Sequence, residues 1–223
     1  MIKFDFFNKS FLFLVFILPL TFILGPATWN INFFLLSVIS IIIIVINFRI
    51  FKDKIYGLRY FYTLFLIFCC YLIFNSIVSV YTEDIISRSI SYMRFFLIVL
   101  AVPFVLKVED KFFTKYTKFF FIILSISILV VCFSAFAELL RLDIPIYTKS
   151  DVNYRLNGPF GDEAIVGAYL FFFFPSFLFI SKMLRVNNLF IIPITLFSVY
   201  IIFASGERMV ILMTIGFVIS YLI

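Results

Sequence analysis

Long apolar runs separated by short polar segments dominate the chain. Most of these runs approach the roughly 20 residues that a helix needs to cross a bilayer core of about 30 Å. Their apolar positions are continuous rather than alternating, which favours helices over the strands of a barrel. We predict eight spanning helices, at about Phe11–Leu24, Ile31–Phe48, Tyr60–Val80, Ser89–Leu106, Phe119–Ala137, Ala164–Ile180, Leu189–Ala204 and Met209–Ile223.

The composition agrees with a membrane protein. Hydrophobic residues make up 65% of the 223 positions and charged residues 13%, whereas a soluble domain has roughly 25% charged residues. We therefore predict an all-α, polytopic integral membrane protein whose residues 1–223 form one helical domain. An external polar loop is expected at about 138–163. Because the last apolar run stops at Ile223 without a polar anchor, we expect the chain to be truncated at its C-terminus.

Basic residues predict the orientation of these helices. Twelve of the eighteen Lys and Arg residues lie in the N-terminal segment and in the second, fourth and sixth loops, whereas eight of the twelve acidic residues lie in the other loops. Cytoplasmic loops carry the excess of Lys and Arg, so the N-terminus is predicted to be cytoplasmic. The short first run ends in Gly25-Pro26-Ala27 and has a second interpretation, a cleaved signal peptide, which leaves this topology unchanged.

The remaining composition bears on metals and nucleic acids. The chain has three Cys residues, all within apolar runs, and no His, so we expect no metal site and no cofactor. The net charge of +6 comes from short clusters between apolar runs rather than from one basic face. This pattern is typical of orientation in a membrane, and we expect membrane lipids rather than nucleic acid as partners.

Three arginines stand where both the insertion rule and the helix dipole disfavour them. Arg155 and Arg208 lie at or just before the starts of helices on the predicted outer side, where Lys and Arg are rare and the helix end is positive. Arg94 lies on the same side, about 13 Å along its helix if that helix begins near Ile85. A structural explanation exists for each. Arg94 can snorkel or pair with Glu83 or Asp84, Arg155 can pair with Asp151, Asp162 or Glu163, and Arg208 can anchor its helix at the interface.

Two polar motifs surround these arginines. In "RLNGPFGDEAIVGAYL", residues 155–170, the segment from Gly158 to Gly161 supplies turn residues, and Asp162 is suited to cap the following helix. In "SGERMVIL", residues 205–212, Ser205 is typical of an N-cap and Glu207 of a first helical turn. Helix N-termini with free N–H groups, combined with glycines and guanidinium groups, favour a phosphate or diphosphate site. On the outer side, a lipid diphosphate fits this site better than ATP, and the chain has no P-loop.

The same two motifs resemble the O-antigen ligase and polymerase family of bacterial inner membranes. The resemblance rests on Arg155, the Gly158–Glu163 segment, the glycine-containing helix after it, and the later Ser205-Gly206-Glu207-Arg208 element. It implies a glycosyltransferase of polysaccharide and lipopolysaccharide biosynthesis. Such an enzyme moves glycan, without a metal, from an undecaprenyl diphosphate carrier to an acceptor glycan or lipid A core at the periplasmic face.

Roles for single residues follow from this resemblance. Arg155, Arg208 and Arg94 are expected to hold the diphosphate. Gly158, Gly161, Asp162, Ser205 and Gly206 are expected to shape the site, and Glu163 is the candidate base for the acceptor. Members have about a dozen spans, so the chain corresponds to the N-terminal portion, and the fragment alone is not expected to be sufficient for activity. Ligases use a His in a later loop; because this chain has no His, the polymerase variant is favoured.

Two other functions stay open at this point. A multi-pass transporter or flippase of anionic or lipid-linked solutes predicts broken helices in matching halves and polar groups at mid-membrane. Pro19, Pro103, Pro175 and Pro193 interrupt apolar runs but form no paired pattern, and the polar groups cluster at the outer boundary. A third interpretation is a structural membrane subunit without a binding site, but it does not explain the arginines on the outer side.

Overall fold

Helices make up nearly all of the described chain. The computed structural model describes residues 2–78, 82–105, 110–142, 156–161 and 165–222; within these ranges, the side chains of 2–5, 48–58, 61, 76–77, 82–93, 110–115 and 218–222 are left out. No strand occurs among the described residues. The prediction of an all-α protein is confirmed.

Nine helical segments follow one another in the described residues, and each predicted span falls on one or two of them. They are α1 (Ile2–Phe16), α2 (Leu18–Ile23), α3 (Pro26–Ile46), α4 (Phe48–Val78), α5 (Thr82–Val105), α6 (Asp110–Leu139), α7 (Val166–Met183), α8 (Asn188–Ala204) and α9 (Arg208–Leu222). The first predicted span is divided between α1 and α2. The break lies at Ile17, whose carbonyl accepts from Leu20 and Thr21, because Pro19 has no N–H to continue the helical ladder.

Apolar length supports a membrane location for these helices. In the part of the chain that the structure describes, four segments are long and apolar enough to cross a bilayer, namely Phe6–Ile23, Pro26–Ile46, Tyr116–Leu139 and Val166–Met183. Four further segments of 10 to 17 residues are apolar but shorter, at Tyr62–Asn75, Arg94–Val105, Asn188–Ala204 and Arg208–Phe217. The chain is therefore a helical membrane protein. The number of eight spans and the cytoplasmic N-terminus stay predictions.

The helices group into two units. Unit 1 comprises Met1–Val15 and Trp29–Phe113. In it α4 packs against α5, with the rings of Phe65 and Phe96 stacked at 5.7 Å between centroids. The side-chain amide of Asn32 in α3 donates to the Leu14 carbonyl of α1 at 3.2 Å.

Unit 2 comprises Phe16–Thr28 and Thr114–Ile223. Its core is an apolar cluster from α6, α7 and α8, in which the largest fully buried side chains include Phe174 and Phe177. Phe22 and Ile23 of α2 pack against this cluster, and the Tyr169 hydroxyl of α7 donates to the Pro19 carbonyl at 3.0 Å. The single domain of residues 1–223 stays a prediction.

Candidate functional site

Both polar motifs meet at one end of unit 2. There the last turn of α6, the turn at residues 156–161, the start of α7 and the junction between α8 and α9 lie together. The apolar segment Tyr116–Leu139 ends here, and the apolar segment Val166–Met183 begins here. The site is therefore built where apolar helices give way to polar backbone.

The predicted turn at Gly158–Gly161 is confirmed. The Phe160 N–H donates to the Asn157 carbonyl at 3.2 Å, which closes a four-residue turn. Gly158 has φ +55, a left-handed conformation that favours glycine. A Cβ at Gly158 would lie 2.8 Å from Val166 Cγ2, so the turn packs tightly against the first residue of α7.

Glu138 holds this turn from the end of α6. Its Oε2 accepts from the N–H groups of Asn157 at 2.9 Å and Gly158 at 2.8 Å. Its Oε1 is buried and has no hydrogen-bond partner among the described residues. Glu138 is the penultimate residue of α6, where the negative end of the helix dipole disfavours a carboxylate. The two backbone donors offset this unfavourable position.

Replacing Glu138 should loosen the turn in a graded way. Glu138→Ala leaves two N–H groups without their acceptor, so we expect a loss of about 2 kcal/mol or more in the free energy of unfolding. Glu138→Gln should cost clearly less, because its single carbonyl oxygen can accept both bonds. Thermal unfolding in detergent, with limited proteolysis at residues 156–161, measures both effects. An Ala variant that unfolds like the wild type would contradict this role.

The first turn of α7 is capped by a residue 40 positions away. Glu207 Oε1 accepts from the Gly167 N–H at 2.8 Å, and Oε2 accepts from the Ala168 N–H at 3.1 Å. The residue at the N-cap position, Ile165, provides no side-chain hydrogen bond. A carboxylate at this position satisfies two of the unpaired N–H groups and complements the positive end of the helix dipole.

Gly167 allows this close approach. A Cβ at this position would lie 2.5 Å from Ser205 Oγ and 3.0 Å from Glu207 Oε1. Real side chains do not approach so closely, so any larger residue would displace the α8–α9 junction from the α7 backbone. Gly167, in the first motif, thus leaves room for the side chains of Ser205 and Glu207 in the second motif.

The α8–α9 junction differs from the prediction at Ser205. Ser205 ends α8 with helical dihedral angles, and its Oγ donates to the Ile202 carbonyl at 2.8 Å. We predicted that Ser205 would be the N-cap of the last helix. In the structure its Oγ accepts only a long hydrogen bond, at 3.5 Å, from the Glu207 N–H. Gly206 follows with φ +74, and the Glu207 carbonyl accepts from Ile211 at 3.1 Å. The helix itself begins at Arg208.

Arg208 is exposed at the first position of α9. The neighbouring Glu207 carboxylate is directed to α7 instead. Within the part of the chain that the structure describes, Arg208 forms no ion pair. Its guanidinium group is therefore available to an anion.

One expectation about this site is wrong. The N-terminus of α7 was expected to offer free N–H groups to a phosphate, but those of Gly167 and Ala168 bind the Glu207 carboxylate. Charge repulsion from this carboxylate also disfavours a second anion at the same place. The start of α7 therefore has two fewer donors for an anion, which increases the importance of cationic side chains such as Arg208.

Several predicted site residues lie outside this geometry. Arg155, Asp162 and Glu163 are outside the described residues, so their roles as diphosphate ligand, cap and base stay predictions. Arg94 lies in α5, in unit 1, and is half-buried. Its participation in a site formed by unit 2 also stays a prediction.

The roles of Glu138 and Gly167 were not predicted, and Glu207 lies at the start of its predicted helix but binds α7 with its carboxylate. Two signals were present. A glycine inside the apolar stretch "AIVGAYL" is typical of close backbone approach in membrane helices. A carboxylate at the end of an apolar helix, as at Glu138, is disfavoured by the dipole and so indicates a specific partner.

Comparisons with protein-family models, with curated proteins and with solved structures give no match for this chain.

Proposed function

We propose that the protein is a glycosyltransferase of the bacterial inner membrane that uses an undecaprenyl diphosphate-linked glycan as donor. The observation that carries this proposal is the convergence of the two motifs, where Glu207 binds the α7 backbone and Arg208 stays exposed beside it. The apolar helices around the site suit a substrate whose tail lies in the bilayer and whose diphosphate lies at its boundary.

Arg208 would stabilise the leaving group in this reaction. An acceptor hydroxyl forms a bond to the anomeric carbon of the donor, and the bond from that carbon to the diphosphate oxygen breaks. The electron pair stays on the diphosphate, and the hydroxyl proton passes to a base. A guanidinium group placed at the developing charge lowers the barrier most where water is scarce. The resemblance also predicts Arg155 and Arg94 as residues that bind the diphosphate, and Glu163 as the base.

The resemblance supports a transfer to another glycan. It favours a polymerase, which extends a repeat-unit glycan, over a ligase that transfers to lipid A core. The reaction needs no nucleotide sugar and no metal.

Transfer by the purified full-length protein tests the proposal. In proteoliposomes with the lipid-linked glycan, we expect longer glycan and free undecaprenyl diphosphate, with unchanged rates in EDTA. A nucleotide sugar should give no product. Movement of the lipid-linked glycan between leaflets without any transfer would overturn the proposal in favour of a flippase.

A further inference from the structure

The Glu207 carboxylate connects two helices through consecutive backbone donors. Its two oxygens bind the N–H groups of Gly167 and Ala168 at 2.8 and 3.1 Å, so each oxygen has its own donor. A carboxylate bound at both oxygens has little freedom to rotate or shift. The side chain therefore fixes the start of α9 relative to the start of α7.

The backbone of Glu207 is part of the same arrangement. Its carbonyl accepts from the Ile211 N–H at 3.1 Å, which is the first hydrogen bond of α9. Arg208 follows immediately, so its Cα lies about 3.8 Å from that of Glu207. A residue fixed at both its side chain and its carbonyl thus determines where the Arg208 side chain begins.

We infer that Glu207 is a positioning residue that acts through Arg208. By binding α7, it fixes the start of α9, and with it Arg208, at the end of unit 2 that also holds the turn at residues 156–161, while its own carboxylate is occupied by the α7 backbone. This inference rests on the proposed function, because it assumes that Arg208 binds the diphosphate of the donor. Gly167 serves the same arrangement by leaving room for the carboxylate.

Glu207→Gln tests this role at unchanged side-chain size. A glutamine of equal size has one acceptor oxygen and one NH2 group, so one of the two backbone N–H groups would face another donor. The carboxylate contact is then lost on one side, and α9 can shift. A misplacement of about 1 Å can lower a reaction rate by as much as about 10²-fold. We therefore expect glycan transfer to fall at least 10-fold, mainly as a lower kcat, because Arg208 acts on the charge that develops on the leaving group.

A double-mutant cycle in the full-length protein distinguishes positioning from general structural support. Transfer is measured for the wild type, Glu207→Gln, Arg208→Ala and the double variant. If Glu207 acts through Arg208, adding Glu207→Gln to Arg208→Ala should change the rate less than 2-fold. The same small effect is expected when Gly167→Ala is added to Arg208→Ala. This second cycle tests the inference if the Glu207→Gln variant does not fold.

Three results would overturn the inference, and they differ from one another. Wild-type transfer by Glu207→Gln shows that the contact has no role. A loss of equal size in the Arg208→Ala background shows that Glu207 supports the fold without acting through Arg208. Wild-type transfer by Arg208→Ala overturns the proposed role of Arg208 itself, and only this result also contradicts the proposed function.

Discussion

Replacing Arg208 by Ala is expected to lower glycan transfer by the full-length protein by about 10²-fold or more. Removing one preorganised donor that stabilises negative charge in the transition state usually has an effect of this size. Arg208 is exposed, starts α9, and has no ion-pair partner among the described residues. Its loss should therefore affect the reaction far more than the stability. Transfer rates in proteoliposomes, together with the amount and length of surface polysaccharide in cells, measure the change.

Two further variants sharpen this test. Arg208→Lys keeps the positive charge but loses the planar fork, so we expect activity between those of the wild type and the Ala variant. Arg185→Ala is a matched control, because Arg185 is also exposed but follows the opposite end of α7. Equal losses from Arg208→Ala and Arg185→Ala would contradict a specific diphosphate site.

Gly167→Ala is expected to destabilise unit 2 by about 1–3 kcal/mol, the usual cost of forcing extra atoms into a packed site. The new Cβ would lie 2.5 Å from Ser205 Oγ. Ser205 is fully buried and its hydroxyl is bound to the Ile202 carbonyl, so its side chain has little room to move aside. The midpoint of thermal unfolding in detergent should fall.

Gly216→Ala provides the comparison. Gly216 is also helical, in α9, and a Cβ there would have no neighbour within 4 Å. Because Ala is a better helix former than Gly by up to about 1 kcal/mol, this variant should be neutral or slightly stabilising. If the two Ala variants unfold at the same temperature, the close approach at Gly167 is not important for stability.

The helices were predictable because their signal is local. Each apolar run specifies its own hydrogen bonds, since lipid provides no other partner. The turn at residues 158–161 was predictable for the same reason, because glycine and proline restrict their own dihedral angles. The break at Ile17 falls inside a predicted span, and only Pro19 indicates it.

The partner of each carboxylate was not predictable from local signals. Glu207 is compatible with the first turn of its own helix, yet its carboxylate binds α7, 40 residues earlier in the chain. A single sequence contains no information on which polar residue meets which helix end once the chain has folded. The sequence could indicate that α7 needs an acceptor for its first N–H groups, but not that Glu207 provides it.

The hydrogen bond from Tyr169 to Pro19 has a consequence for biosynthesis. The two residues are 150 positions apart, and a ribosome adds roughly 5–20 residues per second. The carbonyl of Pro19 thus enters the membrane roughly 8 to 30 s before its partner exists. During this interval α2 has no unit 2 core to pack against. The packing of α2 into unit 2 therefore completes only after α7 has been synthesised, late in the assembly of the proposed site.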